Sequence, residues 1–157
     1  MEVHWTQYIS AFLTPIIAVT ALYIAFMQWK LASNKLKLEL FDKRYIVYKA
    51  CMKIISDLMT NGNTDQRQQA EFLKNTSDAR WLLSEDIDIY ISEVLWKNIV
   101  DVETLCSELE PLQSFPGSQE DKIRKIKARA DKKIFIVSQR KKINELFSPF
   151  LSIKHQS

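Results

Sequence analysis

The chain has 157 residues, which is enough for one domain and not comfortably for two. It contains only 2 Gly and 4 Pro, where average usage would give about eleven and eight. So few glycines argue against folds built on tight turns or phosphate-binding loops, such as dinucleotide folds, P-loop folds and most all-β folds. The composition therefore predicts an all-α fold made of long helices with few connections.

The net charge of +3 is too small to indicate a polyanionic partner by itself. The distribution of charge along the chain is more informative. Residues 84–110 include eight acidic side chains and one basic side chain, whereas residues 118–142 include ten basic and three acidic side chains. We therefore expect an acidic helix followed by a basic helix.

Residues 9–29 read ISAFLTPIIAVTALYIAFMQW, a run of 21 residues without a charge. A helix of this length spans about 31 Å, the thickness of a bilayer hydrocarbon core. Aromatic and basic residues near its ends suit the headgroup level, and the expected membrane anchors are Trp5, Tyr8, Trp29 and Lys30. A signal peptide would have a basic first segment, and a soluble core helix would be shorter and have a polar edge.

The orientation of this helix follows from the charges that flank it. Glu2 and His4 precede the apolar run, whereas the residues that follow it include Lys30, Lys35, Lys37, Lys43 and Arg44. The positive-inside rule therefore predicts a short extracytoplasmic tail at residues 1–8, a transmembrane helix at residues 9–29 and a cytoplasmic domain at residues 30–157. Pro15 predicts a kink within the span, with a gating hinge as the alternative.

The two cysteines, Cys51 and Cys106, lie 55 residues apart in apolar helical patterns and not at a metal-binding spacing. We expect two reduced thiols in preference to one disulfide. That state agrees with a reducing, cytoplasmic compartment.

The first helix is expected to continue to about Thr60, because no Gly or Pro occurs between Pro15 and Gly62. The residues Asn61, Gly62 and Asn63 are expected to end it with a left-handed cap. Spacings that alternate between three and four mark an apolar row at Leu38, Phe41, Tyr45, Tyr48, Met52, Ile55 and Met59. A second row broadens this face through Leu40, Val47, Cys51, Ile54 and Leu58. The breadth favours burial within one chain, and self-association along the first row is the alternative.

Three further helices are expected. One helix is started by Thr64 or Asp65 and runs from Gln66 to about Arg80. The residues of this helix that are expected to face the core are Ala70, Phe72, Leu73 and Trp81. Ser84 is expected to cap the acidic helix, whose apolar positions are Ile87, Ile91, Val94, Leu95, Ile99, Val102, Leu105, Cys106 and Leu109. After a loop at residues 111–117, the basic helix runs to Leu146 or Phe147. Its residues that are expected to face the core are Ile123, Ile126, Ala130, Ile134 and Val137. The sequence thus predicts one transmembrane helix running into a cytoplasmic antiparallel helical bundle.

The segment at residues 35–48 reads KLKLELFDKRYIVY. This KLxLxLFDKRxxxY segment resembles one found in small uncharacterised bacterial inner-membrane proteins with a single span. The similarity extends to WLLSEDI at residues 81–87 and to LFSPFL at residues 146–151. The resemblance implies a bacterial inner-membrane location and a helical cytoplasmic body, and it implies no activity.

The chain offers little that resembles a catalytic centre. Its two histidines, His4 and His155, lie at the chain ends, and nucleophile-elbow, zinc-protease and Cys–His patterns are absent from the sequence. The acidic side chains of Asp86, Asp88 and Glu93 are interpreted as a solvated helical face and not as a metal site. We assign no catalytic residue, metal ligand or cofactor, and we expect that the protein is not an enzyme.

The best functional candidate is a basic patch on the last helix, formed by Lys122, Lys125, Arg129, Lys132, Lys133, Arg140, Lys141 and Lys142. These side chains could pair with the acidic helix or bind an anionic lipid surface. A nucleotide or nucleic-acid site is the least favoured interpretation, because only Phe135 lies close enough to stack on a base.

The predicted function is a membrane-tethered helical interaction or sensing module at the cytoplasmic face of the bacterial inner membrane. Its expected partners are the lipid bilayer and either another protein or a second copy of the chain. The alternative is an oligomeric effector that perturbs the bilayer and is regulated through its cytoplasmic domain. That alternative rests on analogy with small membrane proteins of phage-defence systems.

Overall fold

The computed structural model describes residues 5–109 and 119–152, with side chains at 13, 15–109 and 119–152. The protein is all-α, as the sequence predicts, and its described residues include no strand. The helical elements are α1 (Trp5–Asn61), α2 (Gln66–Thr76), α3 (Ala79–Leu82), α4 (Glu85–Ile89), a π-helical segment (Tyr90–Trp96), α5 (Lys97–Leu109) and α6 (Gln119–Leu151). The predicted loop at residues 111–117, both histidines, and the side chains of Trp5 and Tyr8 lie outside the described part.

The chain divides into two compact units, Met1–Leu40 and Phe41–Ser157, which we call the N-terminal unit and the helical unit. In the N-terminal unit, α1 is long and apolar enough to span a membrane. Every side chain from Pro15 to Ala32 is exposed. The Thr20 hydroxyl donates to the Ile16 carbonyl at 2.8 Å, so this polar group is satisfied within the helix itself.

In the helical unit, the core row on α1 is the second row of the sequence pattern, at Val47, Cys51, Ile54 and Leu58. The first row lies mostly at the edge of the core. Ile55 is buried, but Tyr45 and Met59 are exposed, and the half-buried members are Phe41, Tyr48 and Met52. Leu38, in the N-terminal unit, is 58% exposed. The expectation that the first row is buried throughout is therefore wrong at Leu38, Tyr45 and Met59. Leu40 of the second row belongs to the N-terminal unit and is exposed.

The turn after α1 forms as predicted. Gly62 has a φ of 82°, and its N–H donates to the Leu58 carbonyl at 3.1 Å, which is a left-handed helix cap. Asp65 then caps α2. Its carboxylate accepts from the Gln68 N–H at 2.7 Å, and the Gln68 side chain accepts from the Asp65 N–H at 2.9 Å. This reciprocal capping box satisfies two backbone donors and decides between the two predicted starting residues.

The helix that begins at Gln66 ends at Thr76, earlier than predicted. A turn at Ser77 and Asp78 brings Ala79 into the core, and the short α3 follows. Phe72 is buried as expected, but three residues predicted to turn inward are exposed, namely Ala70, Leu73 and Trp81. Within α2 the buried residues are Phe72 and Thr76, four apart, so Ala70 and Leu73 lie outside that face. The break at Ser77 and Asp78 then redirects the chain before Trp81.

The acidic helix begins where predicted, because the Ser84 hydroxyl accepts from the Ile87 N–H at 3.3 Å. Its middle is π-helical from Tyr90 to Trp96, which the sequence analysis did not anticipate. The buried residues Ile87, Ile91, Leu95 and Ile99 are all four apart. In an α-helix such a row drifts around the axis at 3.6 residues per turn. The wider π turn, with its i→i+5 hydrogen bonds, keeps the row on one face.

The basic helix, α6, is rotated relative to the prediction. Ile123, Ile126, Ala130 and Ile134 are exposed and Val137 is half-buried, whereas the buried residues are Ile136, Gln139, Ile143 and Phe147. The prediction was wrong because it assumed that apolar residues face inward along the whole helix. In the first half of α6 the lysines Lys125 and Lys132 face α5 instead. The helix also continues through Pro149 to Leu151, beyond its predicted end.

We expect Ile54→Ala to lower the free energy of unfolding of the helical unit by about 2 to 5 kcal/mol, because it opens a cavity in the core. Ile46→Ala is the matched control, since both isoleucines lie on α1 and Ile46 is 50% exposed while Ile54 is 2% exposed. We expect the control to change stability by less than about 1 kcal/mol. Denaturant titrations of the full chain in detergent, followed by near-UV circular dichroism, measure both values. Equal losses would contradict the described core.

Candidate functional site

Two ion pairs join α6 to α5. The Lys132 ammonium lies 2.6 Å from the Asp101 carboxylate and 3.3 Å from the Asn98 side-chain oxygen. The Lys125 ammonium lies 3.0 Å from the Glu108 carboxylate. The contacts move backward along α6 as they move forward along α5, so the two helices run antiparallel. The acidic and basic helices thus face each other at these positions.

The electrostatic surroundings of these pairs are intermediate between core and solvent. The Lys125 side chain is 25% exposed and the Lys132 side chain is 36% exposed, and their acidic partners are slightly more exposed. Pairs of this kind contribute about 0 to 1 kcal/mol each when fully exposed and somewhat more when partly shielded from water. Their main effect is to favour one register of α6 against α5.

Two more members of the basic patch contact the protein itself. The Arg129 guanidinium lies 3.7 Å from the Cys106 sulfur on α5. The Lys133 ammonium lies 3.2 Å from the position that a Cβ would occupy on Gly62, so it sits at the carboxyl end of α1. A cation at this end of a helix is stabilised by the helix dipole.

The remaining members of the patch are more open to solvent. Lys122 is half-buried, and the exposed members are Arg140, Lys141 and Lys142. Lys142 lies 5.1 Å from the centre of the Tyr90 ring, within cation–π range. Arg124 and Lys127 are also exposed and were not part of the predicted patch. The structure therefore divides the eight predicted residues into a group that faces the protein and a group at the surface.

The described membrane-anchor candidates, Trp29 and Lys30, lie in the N-terminal unit, and both are exposed. The Trp29 ring is tilted against that of Phe26 at 6.1 Å between centroids. Both side chains are more than half exposed.

A polar group inside the core, which the sequence analysis missed, connects the π-helical segment to α6. The Tyr90 hydroxyl donates to the side-chain oxygen of Gln139 at 2.9 Å, and the Gln139 side-chain nitrogen donates to the Phe135 carbonyl at 3.2 Å. Burial, with a smaller contribution from the nearby Cys51 thiol, raises the pKa of Tyr90 to about 12. The predicted inward face of α6 places Gln139 on the outside, so the sequence pattern gives no signal for this contact.

Burial also raises the pKa of the Cys51 thiol to about 12. An unfolded chain would ionise this thiol near pH 9, so the folded state holds the proton more tightly. The resulting contribution to stability is complete below pH 9 and is lost as the pH rises from about 9 through about 12. Cys51 is therefore protonated and shielded at neutral pH, whereas Cys106 is half-buried; the structure shows both as free thiols.

Arg44 holds the start of the helical unit together. Its Nε donates to the Leu82 carbonyl at 2.8 Å, and its guanidinium lies 5.8 Å from the centre of the Phe150 ring. Nearby, the Tyr48 hydroxyl donates to the Asn144 side chain at 2.9 Å. These contacts link α1 to α3 and α6. Arg44 was predicted as a topology signal only, because its partners are 38 or more residues away in the chain.

Within the described residues, the histidine, cysteine and acidic side chains form no cluster of three or more that could hold a metal ion. Comparison of the chain with protein-family models, with curated proteins and with solved structures gives no match. What the arrangement offers chemically is a set of surfaces: an exposed apolar helix in the N-terminal unit, and a basic, partly apolar face on α6.

We expect Lys132→Glu to lower the stability of the helical unit by about 1 to 2 kcal/mol, because it replaces an attraction to Asp101 with a repulsion. Adding Asp101→Lys restores the opposite charges, and the double variant should recover at least half of the loss. Lys127→Glu, on the exposed side of the same helix, is the control and should change stability by about 0.5 kcal/mol or less. Thermal unfolding of the full chain in detergent measures all three variants. A double variant no more stable than Lys132→Glu would argue against the pairing.

Proposed function

We propose that this protein is a membrane-tethered helical module. Residues 9–29 cross the bilayer once, and residues 30–157 form an antiparallel helical bundle that recruits or senses a partner at the cytoplasmic face of a bacterial inner membrane. The observation that carries the proposal is the exposure of the apolar stretch. None of the described residues in the apolar window is buried, whereas the core helix of a soluble protein is mostly buried. Leaving so many apolar side chains in water would be costly.

The charges on either side of the stretch support the proposed orientation. Lys30, Lys35 and Lys37 follow it closely, and basic residues are retained on the cytoplasmic side during insertion. The free thiols of Cys51 and Cys106 are consistent with a reducing compartment on that side. The bacterial location rests on the resemblance carried by residues 35–48.

We expect a fluorescent protein that folds only in the cytoplasm to be active when fused after Ser157. A phosphatase that requires periplasmic oxidation should be inactive at the same position. Replacing Lys30, Lys35 and Lys37 by Gln should raise the phosphatase signal, because it weakens the bias that sets the topology. Replacing Arg67, Lys74 and Lys97 by Gln removes the same number of charges far from the span and should leave the signal unchanged. Phosphatase activity in the unmodified fusion would overturn the proposed orientation.

A second candidate function, the oligomeric membrane effector, is favoured by one observation. Apolar residues recur every seven positions along α1 at Ile17, Ile24, Leu31, Leu38, Tyr45, Met52 and Met59, and all of these except the half-buried Met52 are exposed. A seven-residue repeat is typical of helices that pair with copies of themselves. The flanking lysines Lys30, Lys35 and Lys37 would repel one another in a parallel pair, which places this candidate second.

Leu38→Glu and Leu36→Glu distinguish the two candidates. Both leucines are 58% exposed and lie on α1, but only Leu38 belongs to the seven-residue repeat. If the protein is a single-chain tether, each nanodisc should contain one copy whichever variant is used. If the protein is an oligomer, each nanodisc should contain several copies, and Leu38→Glu should reduce that number while Leu36→Glu does not. Subunit counting by single-molecule photobleaching gives the result.

A further inference from the structure

One side of α1 carries two exposed lysines just after the apolar stretch. At about 100° per residue, residues that are seven apart on an α-helix differ by only about 20° around its axis. Tyr23, Lys30 and Lys37 therefore lie on the same side of α1, and all three are exposed. Ser33 and Asn34 lie between the two lysines on that side, because they are three and four residues beyond Lys30. We call Lys30, Ser33, Asn34 and Lys37 the lysine side of α1.

The third lysine of this segment lies on a different side of the helix. Lys35 is about 140° around the axis from Lys30, and its ammonium approaches the Glu39 carboxylate at 4.0 Å. Glu39 is the first acidic residue after the apolar stretch, and it lies about 160° from Lys37. Lys30 and Lys37 form no ion pair with any residue that the structure describes. The lysine side therefore has two positive charges and no described counter-ion, whereas Lys35 has one.

The lysine side lies next to the proposed span at residues 9–29. Lys30 directly follows the span, and Lys37 lies about 10 Å further along the helix axis. The side chains of an α-helix are tilted toward its N-terminus, which on α1 is the direction of the proposed bilayer. A lysine side chain also extends its ammonium toward the headgroups along its methylene groups. Both ammonium groups are therefore within reach of the headgroup layer, which is about 5 to 8 Å thick on each side of the bilayer.

Aromatic side chains continue the same side into the span. Phe26 lies about one helical turn before Lys30 and is 57% exposed, and Tyr23 is 63% exposed. The surface therefore changes from aromatic to basic at the level where a lipid changes from acyl chain to headgroup. A phosphate between the two ammonium groups would receive charge-assisted contacts from both, and the Asn34 side-chain amide is a further donor. A zwitterionic lipid also brings a positive charge, which two lysines repel. The surface thus fits a phospholipid with a net negative charge.

We propose that the lysine side of α1 binds the phosphate of an anionic phospholipid in the leaflet on the cytoplasmic side of the span. This inference rests on the proposed function, because Lys30 meets headgroups only if residues 9–29 cross the bilayer. It goes further by naming the class of lipid and by assigning its binding to Lys30 and Lys37 and not to Lys35. A lipid phosphate is favoured over a free phosphate, because its acyl chains pack on the exposed aromatic surface below Lys30.

Lys35→Gln is the matched control for Lys30→Gln and Lys37→Gln, because all three remove one exposed charge from the same segment of α1. The full chain in uncharged detergent is titrated with phosphatidylglycerol, and native mass spectrometry measures the ratio of lipid-bound to free chain. A basic residue near an anionic headgroup changes such a ratio by roughly fivefold. We therefore expect Lys30→Gln and Lys37→Gln each to lower the ratio about fivefold, and Lys35→Gln to lower it less than about twofold.

Two further titrations identify the ligand. Phosphatidylcholine should bind the unmodified chain at least about fivefold more weakly than phosphatidylglycerol. Glycerol phosphate, which has the anionic group without acyl chains, should not displace bound phosphatidylglycerol at equal concentration. Equal losses for Lys35→Gln and Lys37→Gln would show a diffuse attraction to the charge of the whole segment and would overturn the assignment to the lysine side. Equal binding of the two lipids, or displacement by glycerol phosphate, would overturn an anionic lipid as the ligand.

Extraction of cell membranes with alkaline carbonate separates this inference from the tether. The unmodified chain and the three single variants should all stay in the membrane pellet, since each substitution leaves the apolar stretch intact. Retention of all four chains, together with no preference for phosphatidylglycerol, would overturn the lipid site and leave the tether in place. Release of the unmodified chain by carbonate would overturn the tether and the lipid site together.

Discussion

The burial of Ile136, Ile143 and Phe147 in the core fixes the rotation of α6, and the surface of the helical unit depends on that rotation. With this rotation, Lys132 meets Asp101 and Lys125 meets Glu108, two contacts one heptad apart along each helix. Such partly exposed pairs contribute about 1 kcal/mol or less each, so they favour one register of α6 against α5 without setting its rotation. The inward face of α6 therefore changes from basic to apolar along its length. The isoleucines near its start remain outside as a consequence.

The π-helical segment directly precedes α5 and affects which side chains of the acidic helix face the core. A row of aliphatic residues four apart drifts by about 120° around a regular α-helix over its three steps, and the wider turns between Tyr90 and Trp96 reduce this drift. The segment also positions the Tyr90 hydroxyl against Gln139. A satisfied hydrogen bond in a low-dielectric interior favours one arrangement of the two helices over its neighbours. The ion pairs and this bond thus constrain α6 at two separate places.

Along α1, the same kind of residue has two different surroundings. The described apolar side chains before Leu40 are exposed, whereas Val47, Cys51 and Ile54 on the same helix are buried by other helices of the helical unit. Helix propensity does not distinguish these segments, since both are rich in aliphatic residues. The difference comes from the presence or absence of packing partners. The exposed segment is the reason to propose a bilayer as the partner.

Features that depend on neighbouring residues could be predicted from the sequence. They include the all-α class, the length of α1, the Gly62 cap, the start of α2 at one of two residues, the Ser84 cap and the antiparallel charge match between α5 and α6. Each follows from backbone chemistry or charge within a few residues, or from composition over a segment.

Tertiary structure alone decided which of two adjacent rows on α1 is buried, where the helix at residues 66–81 breaks, and how α6 is rotated. These outcomes depend on partners far away in the chain, such as Leu82 for Arg44 and Asp101 for Lys132. A periodic apolar pattern identifies the faces that a helix offers, but it does not say which face the neighbouring helices bury. On α6 the burial of Ile136, Ile143 and Phe147 sets the rotation of the whole helix. In the first half of the helix the same rotation brings Lys125 and Lys132 to Glu108 and Asp101 and leaves the isoleucines outside.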